Sequence, residues 1–201
     1  MYLRTVALLL SACFVLSCQH TERGVTPRPR TYPRVDYPAR AYQSFTETSC
    51  DFAFEYPRYA QVLRDSTGLT RLEEQSSCWF DLYFPDFNGR LHCSYFTIGT
   101  HKSFEALKQD AFEMADYHNK RANYIEELKI NRQDAEVEGF IFSIEGPAAT
   151  PFQFYLTDNK THFFRASLYF NTEVRPDSIA PIYEFVREDM MRLIETFEWT
   201  D

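Results

Sequence analysis

"CWFDLYFPDFNGRLHCSYFTI", residues 78–98, decides the fold class. Phe80, Leu82 and Phe84 alternate with Asp81 and Tyr83, the period of a strand that turns one face to a core. "PDFNGR" follows, and its Asn88-Gly89 pair is the strongest short signal for a hairpin turn. "RLHCSYFTI" (Arg90 to Ile98) then reads as the returning partner strand. A hairpin makes sequential strands antiparallel, so the sheet around it is expected to be antiparallel.

N-terminal to this hairpin, "DFAFEYP" (Asp51 to Pro57) is strand-like, with Phe52 and Phe54 on one face. Residues 58–76 are polar and show no clear period. After the hairpin the period changes. In "SFEALKQDAFEMADYHNKRA" (Ser103 to Ala122), Phe104, Leu107, Ala111, Met114 and Ala115 share one helical face, and Ser103 is placed to cap it. Four strand-like stretches follow: "YIEELKI" (124–130), "EVEGFIFSIEG" (136–146), "PFQFYLTD" (151–158) and "HFFRASLYF" (162–170), all rich in aromatic or β-branched residues. "SIAPIYEFVREDMMRLIETF" (178–197) is a second amphipathic helix, capped by Asp177 or Ser178, with Pro181 in its first turn. The expected fold is α+β: a mostly antiparallel sheet of about six to seven strands covered by two main helices. The opening "FAFEYP" and closing "ETFEW" resemble, loosely, the PsbP/Mog1-type α-β-α sandwich.

The N-terminus has a different character. In "LLLSACFVLSCQHTERG" (8–24), a 13-residue uncharged run from Thr5 to Ser17 ends at Cys18. A membrane-spanning helix needs about 20 residues, so the run fits a secretory signal instead. A cysteine that closes such a run resembles the bacterial lipobox, in which the thiol is acylated and becomes the new N-terminus. "LSAC" places a candidate at Cys13, and "VLSC" places one at Cys18. Cys18 leaves an apolar run of normal length and is the expected lipid attachment site. The organisation is then a lipoprotein signal at 1–17, a Pro/Arg-rich tether at 18–44 and one globular domain at 45–201.

The charge is uneven. The chain carries −8 overall, yet residues 19–45 hold five arginines against two acids. Residues 46–201 hold 15 basic and 27 acidic side chains. An acidic body on a basic stalk argues against nucleic acid as a partner. "TPRPRTYPRVDYPARAY" (26–42) has prolines at 27, 29, 33 and 38, so it reads as an extended tether. It serves as a spacer, as a docking strip that displays Arg28, Arg30 and Arg34, or as both. Cys50 and Cys78 each open a predicted strand, and a compartment outside the cytoplasm permits their disulfide. Cys93 lies mid-strand and is expected to be a buried free thiol.

No catalytic signature is present: G-x-S-x-G, H-E-x-x-H and a phosphate-binding glycine loop are all missing from the sequence. The five histidines form no metal-ligand spacing, and His92 and Cys93 point to opposite strand faces. The acidic pairs Glu126-Glu127 and Glu188-Asp189 read as solvated surface, and "EGPAATPFQ" (145–153) reads as a hairpin loop. Arg165 shares a strand face with aromatic residues, which fits a snorkelling or ion-paired arginine better than a binding one. No catalytic residue, metal or cofactor is therefore expected.

In order along the chain, "TPRPRTYPRVDYPARAY", "CDFAFEYPRYAQV", "CWFDLYFP", "FQFYLTDNKTHFFRASLYFN" and "DSIAPIYEFVREDMMRLIETFEW" resemble the gliding-motility lipoprotein GldD family. The resemblance implies a non-enzymatic lipoprotein of the cell envelope in gliding Gram-negative bacteria. It implies a need for the protein in movement over surfaces and in the associated type nine secretion system. Other gliding-motility lipoproteins and secretion-system envelope proteins are the implied partners, with a lipid anchor, of the palmitate type, on Cys18. The alternative from a different class is a lipid-anchored periplasmic domain that binds a small ligand or acts as an enzyme. "CQHTER" has no acidic run after the cysteine, which favours a periplasm-facing position, on the inner leaflet of the outer membrane, over surface display.

Overall fold

The hairpin over residues 78–98 joins β4 (Phe80–Phe84) to β5 (Gly89–Thr97). The computed structural model describes residues 34–48, 50–64, 78–100, 102–172 and 176–200. Phe80, Leu82 and Phe84 are buried on one face of β4. The turn differs from the expected Asn88-Gly89 pair. Phe84 pairs with Gly89, so the connection is the four residues Pro85 to Asn88, and Asn88 alone is left-handed (φ 46°). Pro85 presets the first turn position, and Asn tolerates the left-handed one. Gly89 sits in the strand because a Cβ there would meet the Phe170 ring at 3.1 Å. The same loop recurs at Gln133 to Glu136, where Arg132 pairs with Val137 and Glu136 has φ 50°.

Seven strands form the main sheet, in the order β3-β4-β5-β9-β8-β7-β6, with every pairing antiparallel. These are β3 (Gln61–Arg64), β6 (Tyr124–Arg132), β7 (Val137–Glu145), β8 (Phe152–Thr157) and β9 (His162–Phe170), together with the hairpin. Between β5 and β6 the chain passes through helix α1 (Phe104–Asp116) to the far edge, and the next three strands return to pair β9 with β5. Ser103 caps α1, its hydroxyl accepting from the Ala106 N–H at 3.3 Å. A second sheet, β1-β2-β10, is built from Tyr42–Thr46, Phe52–Pro57 and Glu198–Trp199.

The body begins earlier than the expected boundary at 45. Val35 onward belongs to one compact unit, and the Tyr37 ring lies 4.7 Å from Phe185. Arg40 is no displayed cation: it pairs with Glu188, donates to the Phe185 carbonyl at 3.0 Å and lies over the Phe185 ring. Tyr37 stays 42% exposed, yet its contact with the Phe185 ring fixes this stretch to the helix that carries Phe185, where a bare tether would have no such contact.

Helix α2 spans Pro176–Thr196. It starts ahead of the expected cap, so Asp177 and Ser178 lie in its first turn and Pro181 in its second. There the proline removes the hydrogen bond to the Asp177 carbonyl. Val186, Met190, Leu193 and Ile194 form its buried stripe, and Phe197 just beyond it is buried too. Two layers of apolar contact result. Leu107, Ala111 and Ala115 of α1 meet Phe142, Tyr155 and Phe163 on one face of the main sheet. The α2 stripe and the small sheet, with Phe45, Phe52 and Phe54, pack on the other. Arg132 at the end of β6 donates to the carbonyls of Ile194 (3.0 Å) and Phe197 (2.7 Å), giving the C-terminal end of α2 a cationic partner.

Cys50 and Cys78 are joined by a disulfide, their Cα atoms 5.5 Å apart across a sequence separation of 28. Closing a loop of that size removes chain entropy equivalent to about 3–4 kcal/mol. Cys93 is a buried free thiol, held well above the usual range by burial and then by the Asp81 charge. Among the described residues, no helix is long and apolar enough to cross a membrane.

Candidate functional site

Cys18, Arg28 and Arg30 lie outside the described residues. Arg34, the first described residue, is exposed. The body offers a site of its own, a cavity of about 410 Å³. Its wall on one side is the N-terminal half of α2, with Ile179, Ala180, Tyr183, Glu184 and Arg187. Facing it are Ser143 to Gly146 at the end of β7 and the loop to Pro151, while Glu126 of β6 stands at its rim. The hairpin loop of the sequence reading is thus one lip of a hollow. Its path depends on Gly146, at φ 108°, where a Cβ would stand 2.8 Å from the Asn123 nitrogen. Small side chains at Ala148 and Ala149 keep the hollow open. The Tyr183 hydroxyl donates to the Pro151 carbonyl at 3.4 Å, and burial pushes its pKa up. The chemistry on offer is apolar surface with three carboxylates, Glu126, Glu145 and Glu184, and one guanidinium, Arg187. Among the described residues, the lining has no histidine and no cysteine.

Other polar clusters hold the fold together. Asp189, expected on a solvated face with Glu188, is fully buried. The hydroxyls of Tyr42 (2.8 Å) and Tyr59 donate to its two oxygens, tying β1 and the segment after β2 to α2. Burial first, then the bond to Asp189, pushes the Tyr42 phenol up to about 12 and the Tyr59 phenol further. At the other end of the sheet, Tyr95 donates to Asp51 at 3.1 Å, and its hydroxyl lies 2.6 Å from His162 Nδ1. Trp199 stacks on the His162 ring at 5.0 Å and closes this cluster off. Arg165 lies over the Phe96 ring at 5.7 Å, on the α1 face and away from the cavity; burial lowers its pKa and the Asp110 charge opposes this. Among the described residues, no group of three or more His, Cys, Asp or Glu is arranged to hold a metal ion.

The family model for the gliding motility lipoprotein GldD matches residues 22–199. The chain belongs to this family. GldD membership makes it a gliding-motility lipoprotein, a class of membrane-anchored proteins of the cell envelope. The matched span covers all but the last two residues of the body and the whole of the proline-rich tract at 26–42, so the cavity and the arginine tract both lie inside the GldD unit. No curated protein gives a match. Among solved structures, the solution structure of cyanobacterial PsbP (CyanoP) from Synechocystis sp. PCC 6803 is similar, with TM-score 0.50 and 7% identity. That match covers 81% of this chain and 94% of the other. It shows the α+β sandwich and nothing of function.

Of the cavity residues, Glu126 and the 145–153 loop read in the sequence as surface and hairpin loop, and the α2 residues gave no signal. Tyr183 and Arg187 look like the ordinary polar side of a helix, and only the backbone brings them to the Gly146 loop. The one local signal was a loop of glycine, proline and alanine between two strongly apolar strands.

Proposed function

We propose that the protein is a non-enzymatic, lipid-anchored component of the gliding machinery and its associated type nine secretion system, acting by binding partner envelope proteins. The family match over 22–199 carries this reading. Acyl chains on Cys18 anchor the chain, since two or more chains give stable membrane attachment. The body faces the periplasm from the inner leaflet of the outer membrane. Arg28, Arg30 and Arg34 on the proline-rich tract present bidentate cations to an acidic partner, such as another gliding-motility lipoprotein or a secretion-system subunit. A proline-restricted segment loses little entropy on binding. The body cavity, apolar surface with Glu126, Glu145, Glu184 and Arg187, offers a second surface on which a partner can be held.

Complementation of a deletion strain tests the reading, with colony spreading, secreted-protein yield and membrane fractionation as readouts. The deletion is expected to abolish spreading and secretion, and the wild-type chain to restore both. Cys18→Ser should leave the membrane fraction and restore neither. The triple variant Arg28→Gln, Arg30→Gln, Arg34→Gln should stay in the membrane at normal abundance and restore neither. Full rescue by the triple variant would reduce the tract to a spacer. A deletion strain that spreads and secretes normally would overturn the reading itself.

A further inference from the structure

Strand β6 ends the main sheet. Among the described strands it pairs with β7 alone, so every second residue turns its N–H and C=O outward. It has nine residues, whereas β3 at the opposite edge has four. Glu126 to Lys129, at its middle, are all exposed. Of the four large apolar side chains that stand exposed among the described residues, Tyr124 and Leu128 are on β6 and Tyr117 follows α1. A hollow lies on each face of this edge. On the α1 face a groove of about 580 Å³ is lined by Phe112, Glu113, Asp116, Asn123, Ile125 and Glu127, among others. On the α2 face Glu126 forms the rim of the cavity beside Tyr183 and Arg187.

We propose that the β6 edge is a docking site for an extended segment of a partner protein, with basic and apolar side chains, added as an eighth strand of the main sheet. This rests on the partner-binding reading above and names the surface and the chemistry of the partner. Main-chain hydrogen bonds along β6 supply affinity. Alternate side chains of the added strand enter the groove and the cavity in turn and supply specificity. The sign of the charge selects the occupant. The groove lining has three carboxylates, Glu113, Asp116 and Glu127, and no base. The cavity has Glu126, Glu145 and Glu184 against Arg187. An excess of negative charge on both faces attracts a basic strand and repels an acidic one. A second copy would bring its own Lys129 but also a second set of the three groove carboxylates, so negative charge still outweighs positive at such a junction. Edge charges also guard sheets against indiscriminate pairing, and here they leave one class of strand admissible.

The test uses the full acylated chain in detergent micelles and a blocked nine-residue peptide of alternating lysine and valine, matched to the length of β6. Hydrogen exchange is read residue by residue. The peptide is expected to slow the outward amides of β6 by about tenfold, and a glutamate–valine peptide to leave them unchanged. Glu126→Lys with Glu127→Lys should weaken the lysine peptide by about tenfold with the circular dichroism spectrum unchanged. No protection of β6, or equal protection by both peptides, overturns the proposal. Protection that rises with protein concentration alone assigns the edge to a second copy and overturns it too. In cells, the double variant at normal abundance is expected to lose spreading. Normal spreading by that variant in a strain whose deletion does not spread would overturn the edge alone, and a deletion strain that spreads would overturn the reading beneath it.

Discussion

Gly139→Ala is expected to destabilise the protein by about 3 kcal/mol or more, the range reached when a core position is overpacked against something that cannot move. Gly139 lies in β7 opposite Leu156 of β8. A Cβ at this position would overlap the Tyr155 carbonyl oxygen and stand 2.9 Å from its carbon. The obstacle is backbone, so no side-chain rotation relieves it. Either β7 and β8 part, or the register between them breaks. Both strands are central to the core: Phe154 and Leu156 are buried on the α2 face, and Phe142 and Tyr155 on the α1 face. Urea denaturation of the purified variant measures the loss as a lowered midpoint. A midpoint within error of wild type would show that the strands can separate there at no cost.

Asp189→Ala is expected to cost about 3–5 kcal/mol. Hydrogen bonds to a charged group contribute about 1.5–3 kcal/mol each, and their loss leaves the Tyr42 and Tyr59 hydroxyls without their carboxylate acceptor. The site also joins three parts of the chain, since Tyr42 comes from β1, Tyr59 follows β2 and Asp189 belongs to α2. Asp189→Asn keeps the shape and one acceptor oxygen, so it should lose roughly half as much. Equal losses for Ala and Asn would point to the charge alone, and a loss under about 1 kcal/mol for Ala would remove the cluster from the account of stability. Tyr59→Phe in the Asp189→Ala background gives the coupling between the two groups by a double-mutant cycle.

Much of the fold was legible because its period is strong. Phe80, Leu82 and Phe84, the α1 face and the α2 stripe all follow from side-chain alternation at two and 3.6 residues. The elements that stayed hidden are short or depend on distant partners. Strand β3 is four residues among polar ones, and β10 is two residues that pair with β2 only after α2 has returned the chain to it. Tyr42–Thr46 follows directly on a proline-rich tract, and its strand character comes from β2 rather than from its own pattern. Asp189 sits beside Glu188 and reads as surface, yet in the helix it faces inward with Met190. The same limit hid the site. The sequence shows Glu126, Gly146 and Tyr183 as an edge acid, a turn glycine and a helix tyrosine, and nothing local says that they surround one hollow.

The proposed role of this chain is to hold partner proteins at the cell envelope. Reversible crosslinking in living cells, purification of the tagged chain from membranes and mass spectrometry test that role, with an unrelated lipoprotein as control. Gliding-motility lipoproteins or secretion-system subunits are expected to be enriched over the control, and the enrichment to fall by about tenfold when Arg28, Arg30 and Arg34 are replaced by Gln. Cells that glide and secrete normally while the tagged chain enriches no envelope protein over the control would contradict it.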